Sequence, residues 1–484
     1  MDYLSKSIEE IHQALINGEI SSKELCKESI KKSKELQECN AFITILDKYD
    51  NIEEINDLLS GIPYGAKDNF STKGILSTGG SKSLIDYVPI FDATAITNLK
   101  SKGAVLINKT NMDEFGMGGT GTTGLNGNIL NPWNHSRMCA GSSSGSACAV
   151  SYGVYPYALG TDTGDSIRKP AAFCGIVGYK PTYGMISRFG VFPFASSLDH
   201  CGVLTRNVKD AAIVVDRMKG IDKMDMTSFD SKNINLTDSI NGDVRGKKLF
   251  YVKEFTDISL FPNANDELKE HLSNFKEKIK LLEDLGVEIC EESIDIKLLK
   301  AIPSIYRVIS CAEALSNMTC LTGIVYGPRA LGETYEDSMR NYRKNGFSPL
   351  IKRRFVIGSY VLQEENKNRY FYNAQRARRL IVDKFKELLK KYDAYITPVG
   401  RGPAPFFDEK LNINDKESEY LEDQLQIGNF GGFPSITIPS GFINKMPVGL
   451  NITGNCYNDI TVLNLAYALE NKMDYKNQIA KEVE

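Results

Sequence analysis

The segment Gly141-Ser142-Ser143-Ser144-Gly145 fits G-x-S-x-G, the strand-to-helix elbow that presents a nucleophilic serine in many hydrolases. Near neutral pH a serine hydroxyl attacks poorly until a neighbour takes its proton, so a base has to be found. The chain has only four histidines, His12, His135, His200 and His271. Two follow the serines. His271, in the charged run NDELKEHLSNF, reads as a solvated surface residue, and His200, in SLDHCG, reads as a hydrogen-bonded structural residue. A lysine can replace imidazole when burial lowers its pKa from about 10.4 towards 7 to 8. Lys67 in GIPYGAKDNF is the candidate, because an uncharged, turn-flanked stretch precedes it and Asp68 and Asn69 follow. Taken alone, a lysine is more often exposed.

Other motifs point away from nucleotide and metal chemistry. Gly116, Gly118 and Gly121 fit G-x-G-x-x-G, as do Gly119, Gly121 and Gly124. The dinucleotide fingerprint needs its first glycine directly after a strand and a helix opening inside the motif. Here NKTNMDEF intervenes and no helical run follows, and no G-x-x-x-x-G-K-[ST] loop occurs. The ten cysteines include no C-x-x-C pair, and no histidines cluster, so a metal site is not expected. Cys148 in SACAV and Cys174 in AAFCGIVG sit in apolar company, where a thiol packs as a small core residue.

The elements that must position these groups are those of an α/β protein. Ser7 with Glu10 and Ser21 with Glu24 are capping-box spacings opening two helices, with Gly18 between them. From Gly61 to Gly190 the chain turns to glycine, serine and short β-prone runs such as 104–107. Leu268, Leu272, Phe275, Ile279 and Leu282 recur at helical steps, and a further helix is expected from about Tyr370 to Lys391, ahead of a strand at 394–397. Ser435–Ile438 and Val448–Ile452 are strand candidates joined by a turn-rich link. Strands interleaved with helices throughout indicate a mixed central β-sheet flanked by helices. One domain over 1–484 is expected, with the helix-rich 255–390 region covering it.

Composition sets wide bounds. Across 484 residues, 58 Lys and Arg stand against 61 Asp and Glu, a net charge of −3, which argues against binding nucleic acid by bulk electrostatics. Met138 to Thr161 carries no charge, but its GSSSGSA run and proline make a buried Gly/Ser segment a better reading than a membrane span. The N-terminus lacks the basic-then-apolar order of a secretory signal, so reduced thiols and a cytoplasmic location are expected.

Lys67 in KDN, Ser142 in AGSSSGSA and Ser166 in GTDTGDSIRKPAAFCGIVGYKPTYG stand 75 and then 24 residues apart. In order, spacing and glycine pattern they resemble the amidase signature family, and the likeness runs on to GGFPSITIPSGFINKMPVGLNITG. NKTNMDEFGMGGT, NPWN, ISRFGVFPFASSLDHCG and IKRRFVIGSYVL are most similar to the branch of glutamine-dependent tRNA amidotransferase A subunits. The resemblance implies a Ser-cisSer-Lys triad: Ser166 as nucleophile, Lys67 as general base and Ser142 as the proton-bridging serine. It implies oxyanion donors among the backbone N–H groups of Thr163, Gly164, Asp165 and Ser166. It also implies a glutamine site in which Arg354 takes the α-carboxylate and Asp423 the α-ammonium, with Tyr306 beside them; the neighbouring Arg353 leaves the arginine register open. The implied activity is release of ammonia from glutamine. The implied partners are a B subunit, which uses ATP and magnesium to activate Glu or Asp on misacylated tRNA, and a small C subunit. tRNA is contacted mainly through B; the chain itself has no cofactor and no membrane role.

Three residues depart from the family pattern. Asp165 stands where glycine is usual before the nucleophile, Ser144 replaces a glycine and Lys169 a glutamine. A carboxylate beside a developing oxyanion is unfavourable, so the Asp165 side chain is expected to face away from the pocket. A stand-alone amidase acting on another small amide, or a catalytically silent homologue, are the alternatives.

Overall fold

The computed structural model describes residues 2–50, 52–408 and 419–481. Both N-terminal capping boxes form: Ser7 and Ser21 each accept from the backbone of Glu10 and Glu24, whose carboxylates reach back to the cap N–H. This satisfies the orphan donors of the helices Ile8–Ile16 and Ser22–Glu35.

The strands are β1 (Phe42–Ile45), β2 (Pro63–Lys67), β3 (Val105–Thr110), β4 (Leu130–Asn131), β5 (Asn134–Met138), β6 (Tyr157–Asp162), β7 (Val177–Lys180), β8 (His200–Thr205), β9 (Lys248–Val252), β10 (Glu288–Glu292), β11 (Ala394–Pro398), β12 (Ser435–Ile443) and β13 (Met446–Gly454). Eleven of them form one mixed sheet in the order β1-β3-β2-β6-β8-β7-β12-β13-β11-β9-β10. Every residue of β2, β6, β7, β8, β11 and β13 is buried, as expected for strands with helices on both faces. The edges differ. β10 exposes Glu288 and Glu291, charges that discourage pairing with another chain.

β12 and β13 run longer than the sequence indicates. Most of the link expected to be turn-rich is strand: the ladder absorbs a bulge between Pro439 and Gly441 and continues to a tight turn at Asn444 and Lys445, both at positive φ. The 255–390 region also supplies the edge strand β10, besides the helices Asp266–Asp284, Ile296–Asn317, Pro349–Leu362 and Asn373–Leu388. His271 departs from its sequence reading: it is buried. It falls between Leu268, Leu272 and Phe275 on the apolar face of its helix, and burial lowers its pKa to about 4.

β2 and β6 run parallel, with Gly65 opposite Ala158 and Ala66 opposite Leu159. Their C-terminal ends therefore lie side by side, and the groups of interest sit on them and on the turns that follow.

Candidate active site

Lys67 is the last residue of β2 and has no solvent exposure. Its Nζ donates to Ser142 Oγ at 2.7 Å, to Thr161 Oγ1 at 2.8 Å and to the Thr161 carbonyl at 3.3 Å. Asn69 Nδ2 also donates to Thr161 Oγ1, at 3.0 Å, and fixes that hydroxyl. Burial lowers the Lys67 pKa to about 7, against the opposing pull of Asp113, Asp162 and Asp199. A lysine in that range is neutral often enough at physiological pH to accept a proton.

The serine loop runs from β5 into the helix Ser144–Ser151, with a cis peptide bond between Gly141 and Ser142. Ser143 is not presented as a nucleophile. Its hydroxyl donates to the Thr161 carbonyl at 3.1 Å, and its N–H donates to the Ser166 carbonyl at 3.1 Å, tying the serine loop to the next turn. Ser144 Oγ turns back to the Ala140 carbonyl at 2.5 Å. Gly145 packs so closely that a Cβ would meet the carbonyl oxygens of Ala41 and Asn111.

The glycine-rich segment that imitates a nucleotide fingerprint supports this loop. Asp113 accepts from the backbones of Thr120, Gly121 and Thr123, while Gly141 donates to the Gly119 carbonyl at 2.9 Å. Asp113 itself donates through its N–H to the Ser142 carbonyl at 3.3 Å.

Ser166 is buried in the turn after β6. Among the described residues, none of the N–H groups of Thr163, Gly164, Asp165 and Ser166 donates a hydrogen bond within the chain, so the turn offers free donors. Arg168 holds its shape. Fully buried, it grips Asp162 through Nε and Nη2, both at 3.0 Å, and reaches the carbonyls of Gly164 at 2.7 Å and Leu425 at 2.9 Å. Burial works to raise the Asp162 carboxyl, but Arg168 outweighs it and holds the group well below the usual carboxylate range. Among the described residues no hydrogen bond joins Ser142 Oγ to Ser166 Oγ in this structure. An attack through Ser142 needs that second contact to close.

Two neighbours that resemble triad members are engaged elsewhere. Asp68 pairs with Lys109 at 3.3 Å, both wholly buried, and accepts from Thr78. His200 is buried, donates from Nδ1 to the Leu198 carbonyl at 2.7 Å and packs edge-on to Tyr183, which agrees with its structural reading. Asp199 beside it accepts from Thr163 Oγ1 at 2.7 Å and from the N–H groups of Phe194 and Ala195. A cavity of about 190 Å³ adjoins the pair Lys67–Ser142, lined by Asn69, Gly116, Thr161, Thr163, Phe194 and Asp199 among others.

Helices from the 255–390 region bring in Tyr306 and Arg354, while Asp423 follows the short helix Glu419–Glu422. Tyr306 stands against the turn of Ser166, where a Cβ on Gly164 would lie 3.0 Å from its ring. Arg354 lies over the Phe194 ring at 5.4 Å, and Phe194 meets Tyr306 edge-on. Arg353 is exposed, while Arg354 is half-buried, donates from Nη1 to Cys311 Sγ at 3.8 Å, and among the described residues has no hydrogen-bond partner for Nε. Asp423 lies near Asp165, Glu422 and Lys169; burial raises its pKa to about 7. Arg168, Asp162, Thr161 and Asp113 are not recognisable in the sequence, since an isolated arginine at a helix start reads as solvated and nothing local shows its buried partners.

The chain matches the amidase family over residues 32–463. It belongs to the amidase family. Among members of that family, the glutamyl-tRNA(Gln) amidotransferase A subunit of Streptococcus pneumoniae is 40% identical over 99% of this chain and 98% of that protein. Its counterpart from Streptococcus thermophilus is 39% identical over the same shares. The crystal structure of the Thermotoga maritima glutamyl-tRNA(Gln) amidotransferase A subunit superposes with a TM-score of 0.82 at 33% identity, covering 100% of this chain and 99% of that one. Amidase-family chemistry is thus the setting in which the buried lysine and serines are read. Among the described residues no helix is long and apolar enough to cross a membrane.

Proposed function

We propose that this chain is the glutamine amidohydrolase component of a tRNA-dependent amidotransferase that converts Glu-tRNA(Gln) to Gln-tRNA(Gln). The observation that supports the chemistry is a fully buried lysine hydrogen-bonded at 2.7 Å to Ser142, on a loop tied to the turn of Ser166. The tRNA-linked role rests on full-length likeness to the amidotransferase A subunits.

In this reading neutral Lys67 takes the proton of Ser142, which takes that of Ser166, and Ser166 Oγ attacks the glutamine side-chain amide carbon. The C–O bond forms as the carbonyl π electrons move to oxygen, and the N–H groups of residues 163–166 receive that charge. Each such donor is typically worth about 3 kcal/mol. Lys67 returns the proton through Ser142 to the departing ammonia, and water then releases glutamate from Ser166. Arg354 holds the α-carboxylate and Asp423 the α-ammonium, with Tyr306 closing the wall against Gly164.

The ammonia passes to a partner B subunit, which supplies ATP and magnesium and carries most of the tRNA contact; a small C subunit joins the two, and the assembly works in the cytoplasm. The chain's own residues need no cofactor for the steps described. Native purification with a tag on this chain tests the assembly: co-purification of two further subunits, and glutamine-dependent amidation of Glu-tRNA(Gln) by the complex, is the expected result. Recovery of the chain alone would contradict it.

A further inference from the structure

Two of the residues that depart from the family pattern meet in space. Asp165 and Lys169 are four residues apart across the start of the helix Arg168–Cys174, where the Lys169 N–H donates to the Asp165 carbonyl at 2.8 Å. The Lys169 ammonium lies 3.7 Å from Asp165 Oδ2 and 2.8 Å from Glu422 Oε2, and donates to the Glu422 carbonyl at 3.3 Å. The Lys169 and Asp165 side chains are 13% and 16% exposed, so water screens that contact little, while Glu422 at 34% is more open to solvent. One lysine therefore joins the residue before the nucleophile to the residue before Asp423.

Glycine at 165 with glutamine at 169 would place no charge here. Asp165 alone would place a negative charge one residue from Ser166, opposing both the oxyanion and deprotonation of Lys67. Lys169 alone would still pair with Glu422 at 2.8 Å, so the lysine can stand without Asp165, whereas Asp165 depends on the lysine. Together they pair: the carboxylate is drawn towards the Lys169 ammonium, 3.7 Å away, and is not among the residues lining the cavity beside Ser142.

We propose that Lys169 is a positioning residue for the Ser166 site: it neutralises Asp165, turns that carboxylate from the oxyanion position, and fixes Glu422 and Asp423 as the wall that receives the substrate ammonium. The proposal rests on the glutamine reading given above and adds a specificity role that the triad does not contain. The charged and titratable groups facing Asp165 are Lys169, Asp162, Arg168 and Glu422, with Asp423 and Tyr306 beyond them. Burial lifts the Asp165 carboxyl to about 6 even against the pull of Lys169, and Arg168 is occupied by Asp162. Removing the lysine therefore leaves a carboxyl that ionises within the working pH range with no cation of its own.

The test compares wild type, Lys169→Gln, Asp165→Gly and the double variant Asp165→Gly/Lys169→Gln, each as the full chain purified natively. Ammonia release from glutamine is followed from about pH 6 to about pH 9. Lys169→Gln is expected to lower kcat at least about tenfold, with a deficit that widens as pH rises, and to raise KM. The double variant is expected to recover kcat to within about threefold of wild type and lose the added pH dependence, while KM stays raised because Glu422 has lost Lys169 and is left with Arg401. A double variant no better than Lys169→Gln, or a Lys169→Gln protein with an unchanged profile, would overturn the proposal. If wild type itself releases no ammonia, the glutamine reading fails; the rate of Ser166 sulfonylation by phenylmethanesulfonyl fluoride then gives the same comparison without glutamine. The same loss and rescue in that rate would uphold the pairing, and its absence would overturn it.

Discussion

Lys67 and Asp68 are adjacent, both wholly buried, and take separate partners: Lys67 reaches Ser142 at 2.7 Å while Asp68 pairs with Lys109 at 3.3 Å. Successive side chains at a strand end point to opposite faces, so the nearest carboxylate in sequence is kept from the candidate base. Had Asp68 faced Lys67, the ion pair would hold the lysine charged. Burial instead outweighs the more distant pull of Asp113, Asp162 and Asp199 and lowers its pKa to about 7.

A pH dependence follows with a definite sign. The base works when neutral, so glutamine hydrolysis falls as pH drops through about 7 and levels off above it. A kcat/KM profile with a single acid limb near that value is the expected outcome. A flat profile down to about pH 5 would exclude Lys67 as the base.

The two arginines of IKRR separate substrate binding from surface charge. Arg354→Ala is expected to raise KM for glutamine by at least about tenfold, because a charge-assisted hydrogen bond is worth about 1.5–3 kcal/mol. Exposed Arg353→Ala should change KM by less than about twofold. Equal effects, or none at Arg354, would favour an amide without an α-carboxylate, as in a stand-alone amidase.

Arg168 should matter for stability as well as turnover. Arg168→Ala leaves Asp162 buried and unpaired, and breaking such a pair costs about 3–5 kcal/mol. Chemical denaturation should show that loss, with ammonia release falling along with it, since the same guanidinium shapes the Ser166 turn through the Gly164 carbonyl.

Two glycines near the serine loop make a steric test. A Cβ at Gly145 would meet the backbone of Asn111, its amide at 2.7 Å, and backbone cannot yield as a side-chain tip can. Gly145→Ala should cost about 1–3 kcal/mol. Among the described residues nothing lies within 4 Å of a Cβ added at Gly119, so Gly119→Ala should leave the thermal midpoint almost unchanged.

The sequence is informative where chemistry is local. Ser7 with Glu10 announces a cap because both partners lie within one turn, and Lys67, Ser142 and Ser166 stand out because their order, spacing and glycine pattern resemble those of the amidase signature family. It is silent where partners are distant in the chain. Arg168 finds Leu425 and Asn429 more than 250 residues away, and nothing beside it signals burial. His271 reads as solvated because charged neighbours on the outer face of its helix mask its place on the inner one. Asp165 and Lys169 are legible as departures, but their pairing with Glu422 emerges only when the turn before Asp423 folds against them.

The central claim is tested most directly by ammonia release from glutamine, comparing the natively purified chain with its Ser166→Ala variant. Release by wild type and a loss of at least about 10³-fold in the variant, with the fold intact, is the expected result. Equal release by both proteins, or none from wild type with its partners bound, would contradict it.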